Sequence, residues 1–183
     1  MINKNYLDEE VFSGLKSTFN KEKSIQLRHF LETDFYIRLL DRVKRLHYIH
    51  HYDPVRHSYS SASFNHRKFL LPIHEFVSKL VSQQLKLSSA DAFCFQHRDY
   101  TLLDDKLHEN PGLMVLVELT PRWSDSFCGY TSFVKNNQEV LRILPHADSL
   151  AIIATNSDMK RFVKYINNTA DRSRRYFLEL HYM

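Results

Sequence analysis

Glycine is scarce in this chain. The 183 residues contain three glycines, Gly14, Gly112 and Gly129, and these lie far apart. Loops that cradle phosphate groups need several glycines close together, so the spacing excludes a Walker loop and the G-x-G-x-x-G loop of dinucleotide-binding domains. Collagen-like and glycine-rich low-complexity structure is excluded for the same reason.

Cysteine and long apolar runs are equally limited. Cys94 and Cys128 form no C-x-x-C motif, and no apolar stretch approaches the ~18 residues of a membrane span. The first residues lack the apolar segment of a secretory signal. We therefore expect a cytoplasmic protein with two reduced thiols and no membrane partner.

The charge balance is mildly basic. Twenty-five Lys and Arg face 21 Asp and Glu, giving +4 and a pI near 9.0. This excess is compatible with nucleic acid or an acidic partner but requires neither. With 43% apolar and 13% aromatic residues, the chain can bury the core of one globular domain.

The first half of the sequence has helical periodicity. Apolar spacing predicts helices over about 8–19, 33–46 and 72–85, the last opened by Pro72, and alternation predicts a short strand over 24–30. The histidine-rich stretch 47–68 is predicted to be loop or irregular strand. Its Tyr48, Tyr52, Tyr59 and Phe64, interleaved with basic residues, could stack on the bases of single-stranded nucleic acid.

After residue 90, short apolar runs alternate with turn residues, a pattern typical of an antiparallel sandwich or barrel. Helices followed by strands predict an α+β fold. The predicted strands are Ala92–Gln96, Leu113–Leu119, Gly129–Lys135, Val140–Leu144, Ser149–Thr155, Phe162–Ile166 and Tyr176–Tyr182.

A series of landmarks in this half resembles a known family. The series comprises Asp99-Tyr100-Thr101-Leu102-Leu103, the segment Leu119-Thr120-Pro121-Arg122-Trp123, Gly129, the segment from Leu144 to Ile153, Arg161-Phe162-Val163, and Arg174-Arg175. It resembles the prolyl-hydroxylase-like 2-oxoglutarate/iron(II) dioxygenases, in the branch of the ribosomal prolyl hydroxylases. The resemblance implies a double-stranded β-helix, or jelly roll, over 90–183, with the strand and helices of 1–89 packed outside it in a single domain.

The expected metal ligands are replaced in this sequence. The family uses H-x-D and a later histidine, a ligand set that suits Fe(II). Counting back from Trp123, the first two positions fall on Asp104 and Lys106, and the third falls on Arg161. Counting forward from the Leu102-Leu103 lead-in gives Asp105 and Leu107 instead, so neither register supplies a histidine.

An alternative metal pair is His97 and Asp99, which form an H-x-D of their own but lie seven residues too early relative to Trp123. The third ligand would then have to be His146 or His181. Arg174 or Arg175 matches the family's arginine that binds the distal carboxylate of 2-oxoglutarate. Alternatively, Arg174 and Arg175 belong to a solvent-exposed basic turn and bind no ligand.

The substituted positions suggest a charge cluster. Asp104, Lys106 and Arg161 could pair with one another in place of the ion and leave a positive pocket for a carboxylate or phosphate. The resulting hypotheses are a non-catalytic protein that binds a protein, peptide or small anion, an active oxygenase acting on a prolyl or other side chain, and a nucleic-acid-binding module. Fe(II) and 2-oxoglutarate are expected as cofactors only if the site is active, so the sequence leaves open whether the protein is an enzyme.

Overall fold

The computed structural model describes residues 1–102 and 112–183. Asp8 starts the first helix by accepting hydrogen bonds through Oδ1 from the amides of Glu10 and Val11. None of the helices in the described ranges has the length and apolar character needed to cross a membrane. The helices are α1 Glu9–Glu22, α2 Thr33–Lys44 and α3 Arg67–Val81, and 3₁₀ turns occur at Lys4–Leu7, Asp125–Phe127 and Asn168–Ala170.

Helix α3 begins before the proline that was predicted to open it. Pro72 lies inside the helix, so the predicted start at this residue is wrong. Phe69 and Leu70 are buried on the same face as Ile73 and extend the apolar stripe toward the N-terminus. Their packing offsets the hydrogen bond that the proline cannot make.

The strands form two antiparallel sheets. In the larger sheet the order is β1-β9-β6-β11-β4-β3-β2, with β5 paired to β3, and in the smaller it is β10-β7-β8. The predicted α+β architecture is confirmed. The strands are β1 Ser24–Arg28, β2 Ile49–Asp53, β3 His57–Ser63, β4 Leu87–Phe95, β5 Tyr100–Thr101, β6 Gly112–Glu118, β7 Thr131–Lys135, β8 Gln138–Ile143, β9 Ser149–Thr155, β10 Met159–Val163 and β11 Arg175–Tyr182.

Several of the strand predictions differ from the structure, and two of them show the reason. The stretch 47–68, predicted as loop or irregular strand, contains the regular β2–β3 hairpin, in which Ile49 pairs with Ser61 and Asp53 with His57. Strand β10 starts three residues before the predicted Phe162. Both segments are rich in polar side chains, so apolar alternation underestimates them: cross-strand pairing fixes the strand, not side-chain hydropathy.

The larger sheet separates two apolar cores. One face packs against the three helices, and the other faces the smaller sheet. Strand β11 illustrates the division. Tyr176, Leu178 and Leu180 belong to the helix-side core, whereas Phe177 belongs to the core between the sheets. Because side chains alternate along a strand, every second residue of β11 points into the space enclosed by the two sheets.

A half-buried carboxyl group joins the turn before β9 to the chain after β1. Asp148 Oδ1 accepts a hydrogen bond of 2.8 Å from the Leu31 amide, and Asp148 has a left-handed φ of 52°. Burial raises the pKa of Asp148 to about 6, although the Leu31 hydrogen bond and the nearby His29 act in the opposite direction. The folded protein therefore holds this proton more tightly than the unfolded chain does.

We predict that Asp148→Asn stabilises the protein at neutral pH. The amide oxygen can still accept from Leu31, asparagine tolerates positive φ, and no charge is left desolvated, so we expect a gain on the order of 2 kcal/mol at pH 7. Folding raises the pKa of Asp148, so the protonated carboxyl favours the folded state at low pH. That contribution to the free energy of unfolding is lost as the pH rises through 6. The gain should therefore vanish near pH 4. Thermal unfolding at both pH values checks this, and an equal effect at both would contradict it.

Candidate functional site

The site lies between the sheets, on the inner face of β11. The side chains on this face are at alternate positions of the strand and belong to Arg175, Phe177, Glu179 and His181. The first three are almost wholly buried. A buried arginine and glutamate on one strand are unusual, because the desolvation of each charge must be offset by a partner.

Arg175 has its partner within the protein. Its Nε donates to Glu118 Oε2 at 2.9 Å, its Nη2 lies 2.8 Å from the same oxygen, and its Nη1 donates to the Gly129 carbonyl at 2.7 Å. Glu118 is itself buried at the end of β6, and Thr120 Oγ1 donates to its other oxygen at 2.5 Å. The guanidinium is therefore neutralised by a carboxylate of the same chain.

The position of Gly129, whose carbonyl accepts from Arg175, requires a glycine. Its φ of 66° is readily adopted by glycine, and a Cβ there would lie 2.7 Å from Ile166 Cγ1 and 3.0 Å from the Trp123 ring. Trp123 is fixed in turn, because its Nε1 donates to the Cys128 carbonyl at 2.8 Å. The tryptophan and glycine that carried the family resemblance thus position a carbonyl oxygen on Arg175.

Aromatic rings fill the space beside Arg175. Phe177 stacks on Phe93 with centroids 5.1 Å apart, and lies 5.8 Å from Phe95. Tyr59 also stacks on Phe95, with ring centroids 5.6 Å apart. The Arg175 guanidinium lies 4.4 Å from the Phe177 ring centre, so this arginine contacts an aromatic face as well as Glu118.

Arg161 enters the same space from β10. Its Nη1 pairs with Glu179 Oε2 and lies 3.9 Å from Met114 Sδ, while its Nε has no hydrogen-bond partner among the described residues. His181 Nε2 lies 2.7 Å from the other oxygen of Glu179. Burial alone would raise the pKa of Glu179, but the Arg161 charge and the contact with His181 outweigh it and lower the pKa to about 2.

The predicted site residues are only partly brought together. Asp104 and Lys106, with the alternatives Asp105 and Leu107, lie outside the described residues. Arg161 pairs with Glu179, which the predicted cluster did not include. Of the two candidate carboxylate anchors, Arg175 faces the interior.

Arg174 takes no part in the interior site. It is exposed, and its side chain hydrogen-bonds to that of Tyr176, whose ring packs in the helix-side core. Adjacent residues of a strand point to opposite faces, so only one of the two arginines can enter the space between the sheets.

Among the described residues, no third potential ligand joins the alternative metal pair of His97 and Asp99. Asp99 is buried, and its two oxygens accept from Ser58 Oγ at 2.6 Å and the Gln96 amide at 2.9 Å. His146 lies 2.9 Å from Arg28 Nη2 instead. Within 1–102 and 112–183, no three His, Cys, Asp or Glu side chains are grouped so that they could hold a metal ion.

Solved structures with a similar architecture include oxygenases and prolyl hydroxylases. A prolyl hydroxylase from Trichoplax adhaerens, in complex with a hypoxia-inducible-factor peptide fragment, superposes with a TM-score of 0.76 over 98% of this chain and 92% of its own, at 16% identity. An oxidoreductase of the 2OG-Fe(II) oxygenase family from Burkholderia pseudomallei gives a TM-score of 0.71, at 10% identity, over 96% and 92% of the two chains. A Pseudomonas putida prolyl-4-hydroxylase gives 0.70, at 10% identity, over 93% and 97%.

The chain has the double-stranded β-helix fold of the 2-oxoglutarate/iron(II) oxygenases. The resemblance inferred from the landmark series is thereby confirmed at the level of the fold. No protein-family model matches the sequence, and no curated protein matches it either. At these identities the likeness concerns the backbone of the oxygenase fold, and the chemistry must be judged from the side chains described above.

Glu118 and Glu179 are the site residues that sequence reasoning missed. Each has apolar residues on both sides in its strand, where a charge signals either an exposed position or a buried ion pair. For Glu179, the alternation of side chains along the strand could have distinguished the two cases. It shares a face with Arg175 and Phe177, and is therefore directed inward.

Proposed function

We propose that this chain is a non-catalytic binding protein built on the 2-oxoglutarate oxygenase fold, with buried ion pairs in place of the cofactor contacts. The observation that carries the proposal is the pair formed by Arg175 and Glu118. The protein supplies its own carboxylate to the arginine that, by resemblance, would bind the distal carboxylate of 2-oxoglutarate.

Binding of 2-oxoglutarate at Arg175 would require displacing Glu118. Nε donates to one Glu118 oxygen and Nη1 donates to the Gly129 carbonyl. Nη2 lies 2.8 Å from the same Glu118 oxygen but makes no hydrogen bond among the described residues. A released Glu118 carboxylate would remain buried without a counter-ion, which costs several kcal/mol by general estimates (about 3–5). The ring of Phe177 also occupies space next to the guanidinium. These residues do not fit the co-substrate.

The iron site is disfavoured by the chemistry of Arg161. The resemblance puts the family's second histidine ligand at this position, but a guanidinium has no lone pair to offer and does not deprotonate in proteins. Its charge is already balanced by Glu179. The proposed loss of the other two ligands, at Asp104 and Lys106, rests on the sequence register alone.

A peptide or protein partner is better supported than a small anion. Arg161 pairs with Glu179 and Arg175 pairs with Glu118, so the four buried charges cancel. These residues therefore leave no excess positive charge that would attract a small anion. The structural neighbour from Trichoplax adhaerens was solved with a peptide fragment bound, so the fold can present a peptide-binding surface.

Metal and co-substrate binding test the proposal directly. The purified protein should contain no stoichiometric iron, and Fe(II) with 2-oxoglutarate should leave its melting temperature unchanged, because neither ligand binds the folded state. Incubation under air should consume no 2-oxoglutarate. A rise in melting temperature that requires both ligands, or turnover of 2-oxoglutarate, would instead establish an active oxygenase.

A further inference from the structure

A groove opens on the helix side of the larger sheet. One wall is the N-terminal segment, with the 3₁₀ turn Lys4–Leu7 and the start of α1, and the other wall is α3; the groove has a volume of about 830 Å³. Contiguous exposed apolar surface is typical of an interaction site, whereas a single exposed apolar side chain is not. The lining is largely apolar and includes the side chains of Met1, Ile2, Leu7, Phe12, Pro72 and Phe76.

The floor of the groove is held by packing, and one wall projects from it. Ile2 and Phe76 are buried, so the floor is part of the helix-side core. The rings of Phe12 and Phe76 meet edge to face, with centroids 5.5 Å apart. Leu7, in contrast, is 58% exposed although it lines the same groove. The groove therefore combines a fixed apolar recess with an apolar side chain that remains open to a partner.

The charges around the groove are balanced. Two cations and three carboxylates line it, and one of the carboxylates, Glu32, already pairs with the amine of Met1. The other four charged side chains are exposed and form no ion pair within residues 1–102 and 112–183. Each wall carries one charge of each sign. These four rim charges are Lys4 and Glu9 on the N-terminal wall and Glu75 and Lys79 on α3.

This charge pattern fits a second copy of the same chain. A two-fold contact brings the same patch of both subunits together, so a face that associates with itself must match itself in charge. The four rim charges sum to zero, in a chain whose net charge is +4. Two copies therefore meet without net repulsion at this face, and each cation finds a carboxylate on the other copy. A uniformly acidic or basic partner would pair with two of the rim charges and oppose the other two.

We infer that this groove is the interface through which two copies of the chain form a two-fold dimer. Leu7 of each copy enters the apolar recess of the other, and the rim cations of each copy pair with the rim carboxylates of its partner. Burial of the apolar recess favours association, and the rim pairs fix the orientation. The inference goes beyond the proposed function, because the groove lies on the opposite face of the larger sheet from the Arg161 and Arg175 ion pairs.

Sedimentation velocity from micromolar to millimolar concentration tests the self-association. We expect the mass to rise with concentration from the 21.8 kDa of a single chain toward twice that value. Leu7→Asp should raise the dissociation constant at least about tenfold, because it places a carboxylate in the apolar recess of the partner. Val140→Asp makes the matched change at an exposed apolar residue of β8 and should leave the dissociation constant unchanged.

Two rim variants test the charge pairing without assuming which residues meet. Lys4→Glu with Lys79→Glu makes all four rim charges negative, and Glu9→Lys with Glu75→Lys makes all four positive. Each double variant should be monomeric at concentrations where the original chain is dimeric, because like charges then face one another. An equimolar mixture of the two should form a heterodimer, which labelling of one variant detects. Melting temperatures report whether each variant folds.

Three results would overturn the inference: a monomer at millimolar concentration, equal weakening by Leu7→Asp and Val140→Asp, or folded rim variants whose mixture stays monomeric. Leu7→Asp keeps the inference testable if a rim variant fails to fold. The oligomeric state is measured independently of the response to Fe(II) and 2-oxoglutarate. Failure of the dimer inference is therefore distinguishable from failure of the proposed non-catalytic function.

Discussion

Glu118→Ala is expected to destabilise the protein strongly and to make its stability respond to small carboxylates. The substitution leaves the Arg175 guanidinium fully buried without its counter-ion, at a cost of about 3–5 kcal/mol. In a chain of this size, such a loss lowers the melting temperature by roughly 6–20 °C. The deleted carboxylate also leaves a space beside the guanidinium.

That space should accept an external carboxylate. Formate or acetate at tens of millimolar should restore part of the melting temperature of Glu118→Ala, because a ligand that binds only the folded state stabilises it. Chloride at the same ionic strength is the control for screening. 2-Oxoglutarate is informative as well: rescue by this compound would indicate that Glu118 blocks a dicarboxylate site that is otherwise intact.

Glu118→Gln is the matched variant. Glutamine has nearly the same size and leaves no cavity, so the variant should be destabilised by the lost charge but should gain no more from carboxylates than the unaltered protein. If formate raised the melting temperatures of both variants equally, Glu118 would not be standing in for a bound carboxylate. Differential scanning fluorimetry is sufficient for the whole series.

The second large effect concerns Arg161 and Glu179. Glu179→Ala leaves Arg161 buried and unpaired, and we expect it to lose about 3–5 kcal/mol of unfolding free energy. The double variant Arg161→Met with Glu179→Leu removes both charges from an apolar setting that includes Met114. It should lie within about 1 kcal/mol of the original protein or exceed it in stability.

Acid unfolding separates this pair from a simple packing effect. Because the pKa of Glu179 is lowered on folding, its contribution is fully present above its ordinary pKa of 4.5 and is lost as pH falls toward about 2. The double variant should therefore lose less stability than the original protein between pH 4.5 and 2. An identical pH dependence of the two proteins would contradict the pairing.

The exposed pair formed by Glu139 and Arg142 serves as a control for the same analysis. Both residues are partly open to solvent on β8, with 2.5 Å between Arg142 Nη2 and Glu139 Oε2. Water and salt screen such a pair, so Arg142→Ala should cost far less than Glu179→Ala. Chemical denaturation of the single and double variants provides the comparison.

Prediction from sequence succeeded where one pattern dominates a segment. Strand β9 occupies the predicted Ser149–Thr155, and α1 begins directly after Asp8. It failed where a tertiary contact overrides the local pattern. Pro72 is tolerated inside α3 because flanking apolar residues pack into the core, and the β2–β3 hairpin forms among polar residues because it extends an existing sheet.

The candidate site shows the same division. The landmark series identified Arg161 and Arg175 as residues of interest, and the structure directs both into the space between the sheets. It could not identify Glu118 and Glu179 as their partners. The sequence separation is 57 residues for Arg175 and Glu118, and 18 for Arg161 and Glu179. Such pairings depend on strand order and register, which local patterns do not specify.

The sequence by itself determined the class of the fold, because periodicity and ordered landmarks are properties of the chain. The substitution of the metal ligands stays a prediction from the landmark register. Only the tertiary structure decided which charges meet. Strand β11 lies between β4 and β6, which brings Glu118 of β6 onto Arg175, and the smaller sheet brings Arg161 onto Glu179. In a low-dielectric interior, each buried cation requires a nearby anion, and that requirement is satisfied only by the assembled sheets.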